Sequence, residues 1–335
     1  MNKFFELSFD DQRRVLQQAS ARCGLPPQAI EKDLWVSNIL QIVFDLPFAD
    51  KLIFKGGTSL SKVWHLIERF SEDIDLAVDR SLFGFEGDLT KKQIKKLRKA
   101  SSLFVKDTFC PALQEAVEKY GLQDFCKIES EPDGEGDSTY PEPRKIFVRY
   151  KSAWAEPSEY LSPIVMLEIG ARSLLEPNEQ THINSMVEGV FPTIQTTIVD
   201  SKVATALASK TFLEKVFLLH ELFSVEGRGV IADRKSRHLY DISRMMDKDF
   251  ALAAIKDDEL WESILHHREI FTSISGMDYT PDIRRRIVLV PREDIRSAWE
   301  ADYKSMCSSM IFGEKPSFIE LIENMKVLED RFHRF

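Results

Sequence analysis

Apolar residues recur at helical spacing in the first part of the chain. Ser8 stands three positions before Asp11, and Val15, Leu16 and Ala19 follow, which predicts a capped helix. Pro26 and Pro27 open a second helix, PPQAIEKDLWVSNILQIVFDL, with an apolar face of Ile30, Leu34, Ile39 and Val43. The pattern then shortens. KLIF predicts a strand that ends in Lys55-Gly56-Gly57, Thr58 and Ser59 open a helix carrying Leu60, Val63, Trp64 and Ile67, and DIDLAV is the next strand. Asp88 to Lys119 reads as helical and basic, and Glu131 to Arg144 as a loop rich in Gly, Pro and acids. KIFVRYKS and IVMLEIGA read as strands, with a short helical turn as the alternative for the second. Strands are expected to stop near Arg172. From about Asp200 the pattern is helical, in SKVATALASKTFLEKVFLLHELF, RKSRHLYDISRMMD and PSFIELIENMKVLEDRFHRF. The expected organisation is an α/β catalytic half, residues 1–200, followed by a helical half, residues 201–335.

Composition narrows the class. The 335 residues are 43% hydrophobic and 30% charged, an ordinary globular balance that suits two domains or one large one. The net charge of −9 argues against a protein that coats nucleic acid indiscriminately, while leaving room for a local basic patch. Cys23, Cys110, Cys126 and Cys307 are far apart and form no C-x-x-C, so reduced thiols in a cytoplasmic protein are expected. The opening residues carry no long apolar stretch, which predicts no signal peptide, and no window approaches a membrane span.

Within DIDLAV the alternation of a strand turns Asp73 and Asp75 to one face and Ile74 and Leu76 to the other. Two like charges on one face resist burial, and a divalent cation between them relieves the repulsion. Mg²⁺ takes hard oxygen ligands and is commonly held by one or two carboxylates together with substrate phosphates; Mn²⁺ is the alternative. Glu168, a lone acid in the apolar VMLEI, is the candidate third ligand. The competing reading is a solvated edge that holds no metal, since D-x-D alone is a weak motif.

The glycine turn changes that balance. Gly56 and Gly57 allow the backbone close to a ligand, and Thr58 and Ser59 fall at a helix N-terminus where N–H groups attract phosphate. A capped turn with no ligand is the plain alternative. A G-G-[TS] turn, a helix and then a D-x-D strand is more specific than either piece, and the combination expects acids that hold metal beside a bound triphosphate.

FKGGTSLSKVWHLIERFSEDIDL resembles the signature of the AbiEii/AbiGii-type nucleotidyltransferase toxins, in the DNA polymerase β-like nucleotidyltransferase superfamily. AIEKDLWVSNIL resembles the family's N-terminal helix, VMLEIGAR the strand of the third acid, and TFLEKVFLLHELF with RKSRHLYDISRMM the later lysine and aspartate motifs. The resemblance spans most of residues 27–245. It implies an α+β fold, with a polymerase β-like core of a short mixed sheet and helices, followed by a helical C-terminal domain that completes the nucleotide cleft. It also implies the toxin of a type IV toxin–antitoxin or abortive-infection system, binding a nucleoside triphosphate with Mg²⁺ and paired with a cognate antitoxin. Some relatives add nucleotides to the 3′ end of tRNA, so tRNA or another RNA is the implied acceptor. Many relatives read Arg-Asp at the later motif; here it is Arg237-His238, and Asp241 is the aspartate carried over.

On this reading Asp73, Asp75 and Glu168 hold metal, Gly56, Gly57, Thr58 and Ser59 cradle the triphosphate, and Asp241 supports the site. Lys215 lies at helical spacing from Phe212, Leu218, Leu219 and Leu222. It either snorkels out of that stripe or meets an anion, and the resemblance favours phosphate. Arg237, Asp241 and Arg244 share a helix face, either as a surface Arg–Asp pair or with Asp241 orienting Lys215 or helping the attacking hydroxyl and Arg237 touching phosphate. Lys55 and Lys62 flank the glycine turn and are candidate phosphate ligands or solvated charges. Glu31, Lys32 and Asp33 match the family without a derivable mechanism. Lys91, Lys92, Lys95, Lys96 and Lys99, with Arg98, form a basic run that either tracks an RNA backbone or is a solvated face, and Arg284–Arg286 has the same ambiguity. Two rivals remain: phosphoryl transfer to a protein or small molecule from the same cleft, and a non-catalytic nucleotide-binding regulator that acts by protein contact.

Overall fold

The computed structural model describes residues 3–71, 73–154, 161–225 and 231–335; Glu72, which belongs to a stretch quoted above, lies outside them. The chain divides into two compact units, Met1–Val63 with Ser71–Ala206, and Trp64–Phe70 with Leu207–Phe335.

The first unit is built on a seven-stranded mixed sheet: β1 Leu52–Lys55, β2 Asp73–Val78, β3 Cys126–Ser130, β4 Arg144–Tyr150, β5 Ile164–Gly170, β6 Asn178–Thr181 and β7 Val203–Ala206, in the order β3-β4-β5-β2-β1-β7-β6. β2 lies at the centre, antiparallel to β1 and parallel to β5. Ile74, Leu76 and Val78 are buried on one face, whereas Asp73 and Asp75 are half-exposed on the other, which Ala77 continues into a buried position. Leu52, Phe54, Leu167, Ile169, Ile146 and Val148 extend the apolar face across the neighbouring strands.

Helices cover that apolar face. The unit's helices are α1 Lys3–Glu6, α2 Phe9–Cys23, α3 Pro27–Val43, α4 Gly56–Lys62, α5 Lys91–Phe104, α6 Cys110–Lys119 and α7 Met186–Val190. Ser8 caps α2 by accepting from the Asp11 N–H. α3 is buried on nearly every side rather than on one stripe, and its Trp35 stacks on Tyr150 of β4 at 5.0 Å. Arg144, fully buried on the same face of β4, donates Nε to Ser102 of α5 at 2.9 Å.

Burying α3 all round demands partners for its three charged residues. Glu31 accepts from the Ser152 hydroxyl and the Ala153 N–H, both at 2.7 Å, and Lys32 donates to the Ser162 carbonyl at 3.1 Å. Asp33 holds Lys62 of α4 at 2.5 Å with one oxygen and the Met186 N–H with the other. The family-like Glu-Lys-Asp is thus the clamp that ties α3 to α4, to α7 and to the chain on either side of residues 155–160.

The second unit is helical: α8 Ala208–Phe223, α9 Arg237–Met245, α10 Asp249–Ala254, α11 Asp258–Phe271, α12 Glu293–Ser309 and α13 Phe318–His333. Its core includes Phe217, Trp261 and Phe332, with Trp261 in ring contact with both phenylalanines. Residues 64–70 belong to it through the Phe70 N–H to Met310 carbonyl bond and the Arg69–Ile311 bridge.

Three expectations are corrected. The helix opened by the glycine turn ends at Lys62, not beyond Ile67, because the chain leaves the first unit there and takes a positive φ of 51° at His65. Strands do not stop near Arg172, since β6 and β7 follow. The region after Asp200 begins with strand β7, whose β-branched Val203 and Thr205 sit in the sheet before helix α8 starts. IVMLEIGA is strand, not a helical turn.

The Asp33–Lys62 pair yields a stability prediction. Lys62→Met leaves a carboxylate buried without its cation and is expected to lower the unfolding free energy by about 3–5 kcal/mol. Urea titration followed by circular dichroism checks this; a loss below about 1 kcal/mol would show that the pair is of surface worth only.

Candidate active site

The register of the central strands assembles one row of charge. Lys145 of β4 stands opposite Glu168 of β5, Glu168 opposite Asp75 of β2, and Asp75 opposite Lys55 at the end of β1. Facing residues share a face of the sheet, so the row reads Lys–Glu–Asp–Lys, with Asp73 two positions along β2 on the same side. The expectation that Glu168 comes from a neighbouring strand to Asp75's side agrees with this register. Its carboxylate, however, lies 3.3 Å from Lys145 Nζ.

The glycine turn closes on this row. Gly56 has φ +82°, a left-handed conformation that favours glycine, and a Cβ there would fall 2.1 Å from Asp75 Oδ2. Backbone and carboxylate therefore touch at the start of α4. That helix has no side-chain N-cap, so its first N–H groups are not satisfied by a capping side chain.

The hydroxyls of the turn are used differently from the expectation. Thr58 is buried; its hydroxyl donates to the Asp73 carbonyl and is hydrogen-bonded to the Ser71 hydroxyl at 2.9 Å, which fixes the entry of β2. Ser59 is buried and donates to the Gly56 carbonyl at 2.8 Å. Both hydroxyls hold the turn. Lys62, a candidate phosphate ligand or solvated charge from the sequence, is engaged with Asp33, its side chain only 6% exposed. Lys55 stays beside Asp75 in the row.

Among the described residues no group of three or more His, Cys, Asp or Glu side chains is placed to hold a metal ion. A three-carboxylate centre from Asp73, Asp75 and Glu168 is thus not preformed, because Glu168 is turned to Lys145. The pair on β2 does suit a hard divalent cation that takes one or two carboxylates and completes its shell with substrate oxygens.

The helical unit contains a second polar centre. Asp241 of α9 is fully buried, and Arg69 grips it with two parallel bonds, Nε to Oδ1 at 2.6 Å and Nη2 to Oδ2 at 2.7 Å. Lys215 of α8 reaches Oδ2 at 3.0 Å, and its Nζ also lies 3.3 Å from His238 Nδ1. Burial alone would raise the Asp241 carboxyl, but the Arg69 charge and then that of Lys215 outweigh it and hold the group well below the usual carboxylate range. Burial pulls Lys215 below the usual lysine range, with Asp241 acting against that pull. His238 is pushed far below its ordinary value, first by burial and then by the Lys215 and Arg237 charges, so its imidazole is neutral. A neutral ring whose Nδ1 accepts from Lys215 carries its proton on Nε2, which has no partner among the described residues.

Asp241 is thus in contact with Lys215 and fully buried. Arg237, half-buried at the start of α9, contributes charge toward His238 and Lys215. Arg244 leaves this group for Glu68 and Glu314. Sequence reasoning missed Arg69 and Lys145. The signal for Arg69 is an arginine between Ile67 and Phe70, two residues that are themselves buried; Lys145 shows only once β4 and β5 are in register.

The chain belongs to the family described as nucleotidyl transferase AbiEii toxin, type IV toxin–antitoxin system, whose model matches residues 38–324. Among solved structures it is similar to MenT4, a nucleotidyltransferase toxin from Mycobacterium tuberculosis H37Rv, with 15% identity over 95% of this chain and 92% of that one and a TM-score of 0.46. It is also similar to JHP933 from Helicobacter pylori, with 14% identity over 92% of this chain and 94% of that one and a TM-score of 0.47. No curated protein matches the sequence. Among the described residues no helix is long and apolar enough to cross a membrane.

Two outcomes follow. Gly56→Ala is expected to abolish nucleotidyl transfer and to cost about 1–2 kcal/mol of stability from the left-handed backbone alone; activity within twofold of the unmutated protein would sink the close-approach argument. Asp241→Asn strands two buried cations and is expected to cost about 3–5 kcal/mol at pH 7. Because the folded-state carboxyl is depressed, Asp241's contribution is complete above the ordinary carboxylate range and is lost as pH falls through the depressed value. Urea titrations at a series of pH values should show the gap between the two proteins constant near neutrality and narrowing only in acid.

Proposed function

We propose that this nucleotidyltransferase toxin moves a nucleoside monophosphate from a nucleoside triphosphate to an acceptor hydroxyl on RNA, with the 3′ end of tRNA as the leading acceptor. The observation that carries the reading is the packing of Gly56 against the Asp75 carboxylate, which brings an uncapped helix start and an acid pair to one spot. N–H groups of that first turn would bind the triphosphate. A Mg²⁺ or Mn²⁺ ion held by Asp73 and Asp75 would supply charge to the phosphates and to the attacking oxygen. The acceptor hydroxyl loses its proton to water as its oxygen bonds to the α-phosphorus, the bond from that phosphorus to the bridging oxygen of the β-phosphate breaks, and pyrophosphate leaves. Lys55, next to Asp75, is suited to the phosphate charge. In the helical unit Lys215 is the phosphate-binding candidate, with Asp241 and His238 as its positioning residues. The cognate antitoxin implied by the family is the protein partner, in the cytoplasm.

The test uses purified protein, each α-³²P-labelled nucleoside triphosphate in turn, Mg²⁺ and total bacterial tRNA, with Asp73→Ala and Asp75→Ala proteins alongside. Label is expected in tRNA with the unmutated protein and to fall at least a hundredfold in both variants. Loss of the γ-phosphate without α-label transfer would replace this reading with phosphoryl transfer. Triphosphate that binds and stays intact would replace it with a regulator.

A further inference from the structure

Helix α5 carries the densest run of positive charge in the chain. Thr90 and Gln93 form a reciprocal capping box at its start, so the helix is set from its first turn. Lys91, Lys92, Lys95, Lys96 and Lys99 are all exposed. At 100° per residue these five and Arg98 fall within one arc of the helix, while Leu97 and Ser101 are buried on the opposite side. Arg98 donates to the Tyr140 carbonyl at 2.8 Å, and Lys99 lies over the Tyr140 ring at 5.1 Å.

None of the five lysines makes an ion pair among the described residues. That is unusual here. The chain has 54 acids to 45 basic residues, so carboxylates outnumber cations. Nearby cations do pair: Lys106 and Arg144 share Asp133, Lys145 takes Glu168, and Arg149 takes Glu129. A face that merely kept the protein soluble would be expected to mix signs, as most of this surface does.

We propose that the lysine face of α5 is the docking surface for the phosphate backbone of a nucleic acid. Lysines at i, i+4 and i+8 recur about every 6 Å along the axis, and a nucleic-acid strand sets a phosphate about every 3.4 Å. Long flexible ammonium side chains can therefore meet alternate phosphates without reading sequence. An anionic membrane is disfavoured because the apolar side of α5 is buried in its own unit, leaving no greasy face to insert. For its purpose the inference rests on the transferase reading, as the surface that would hold the RNA acceptor; the binding itself does not depend on that reading.

The experiment measures anisotropy of a fluorescein-labelled RNA hairpin with full-length protein between 50 and 200 mM KCl. The variant K91Q/K92Q/K95Q/K96Q/K99Q is compared with a charge-matched control, K127Q/K248Q/K256Q/K304Q/K326Q, whose lysines are exposed elsewhere. In the α5 variant the slope of log affinity against log salt is expected to flatten by about 0.7–0.9 for each lysine that meets a phosphate. Affinity at 50 mM should fall at least tenfold, with the thermal melt and triphosphate binding unchanged. The control should keep the slope within one. Equal weakening in both proteins, no RNA binding by the unmutated protein, or retained RNA affinity with lost binding to phosphatidylserine vesicles would each overturn the proposal. The two readings fail separately. If labelled nucleotide still enters tRNA but the α5 variant binds RNA like the unmutated protein, the docking surface is wrong and the transferase stands. If no label transfers but the salt slope collapses in the α5 variant alone, the reverse holds.

Discussion

The structure depends on one constraint: β2 has a period of two and no freedom to slip. Ile74, Leu76 and Val78 are buried on one side, and neighbours on both edges fix the register residue by residue. A shift of one position would put Asp73 and Asp75 into the apolar face beneath α3 and α5 and expose three aliphatic side chains. Burying two carboxylates without partners costs far more than any single packing contact returns. The acids are therefore held at the opposite face by the hydrophobic half of the same strand. Everything around them follows from that setting: the glycine against Asp75, the threonine that ties the turn to the start of β2, and the lysines at either end of the charge row.

The two polar centres solve the burial of charge in opposite ways. On the sheet, two neighbouring acids flanked by lysines lie in a half-exposed row, where solvent shares the work of compensation. In the helical unit, Asp241 is enclosed and Arg69 satisfies both of its oxygens, which leaves Lys215 the looser partner of a centre with an excess of positive charge. The neutral His238 beside Lys215 adds an acceptor without adding a negative charge. An aspartate at that position would cancel the excess. Here the histidine preserves it.

Short-range signals were legible in the sequence, and long-range ones were not. The strand DIDLAV, the glycine turn, the capped helix after Ser8 and the Lys215–Asp241 link could all be read from spacing or family resemblance. What could not be read was decided by partners distant in the chain. Thr58 and Ser59 look like ligand donors until Asp73 and Gly56 are seen to accept from them. Lys62 looks like a phosphate ligand until Asp33, on another helix, takes it. β7 hides inside a stretch with a helical pattern because Val203 and Thr205 pair with a strand on one side and abut β1 on the other. Arg69 gave the least warning, since the residue that satisfies it lies far along the sequence.

Residues 64–70 interrupt the first unit yet belong to the second, whose remaining residues start at Leu207. A ribosome releases the chain from its N-terminus, so this short segment emerges early, and nearly all of the sheet unit must be made before its partners exist. Until α9 emerges, Arg69 has no aspartate to grip and Ile67 and Phe70 have no core to enter. The helical unit thus cannot close during most of synthesis. A chain that stops short of α9 lacks the Asp241 that Arg69 and Lys215 share.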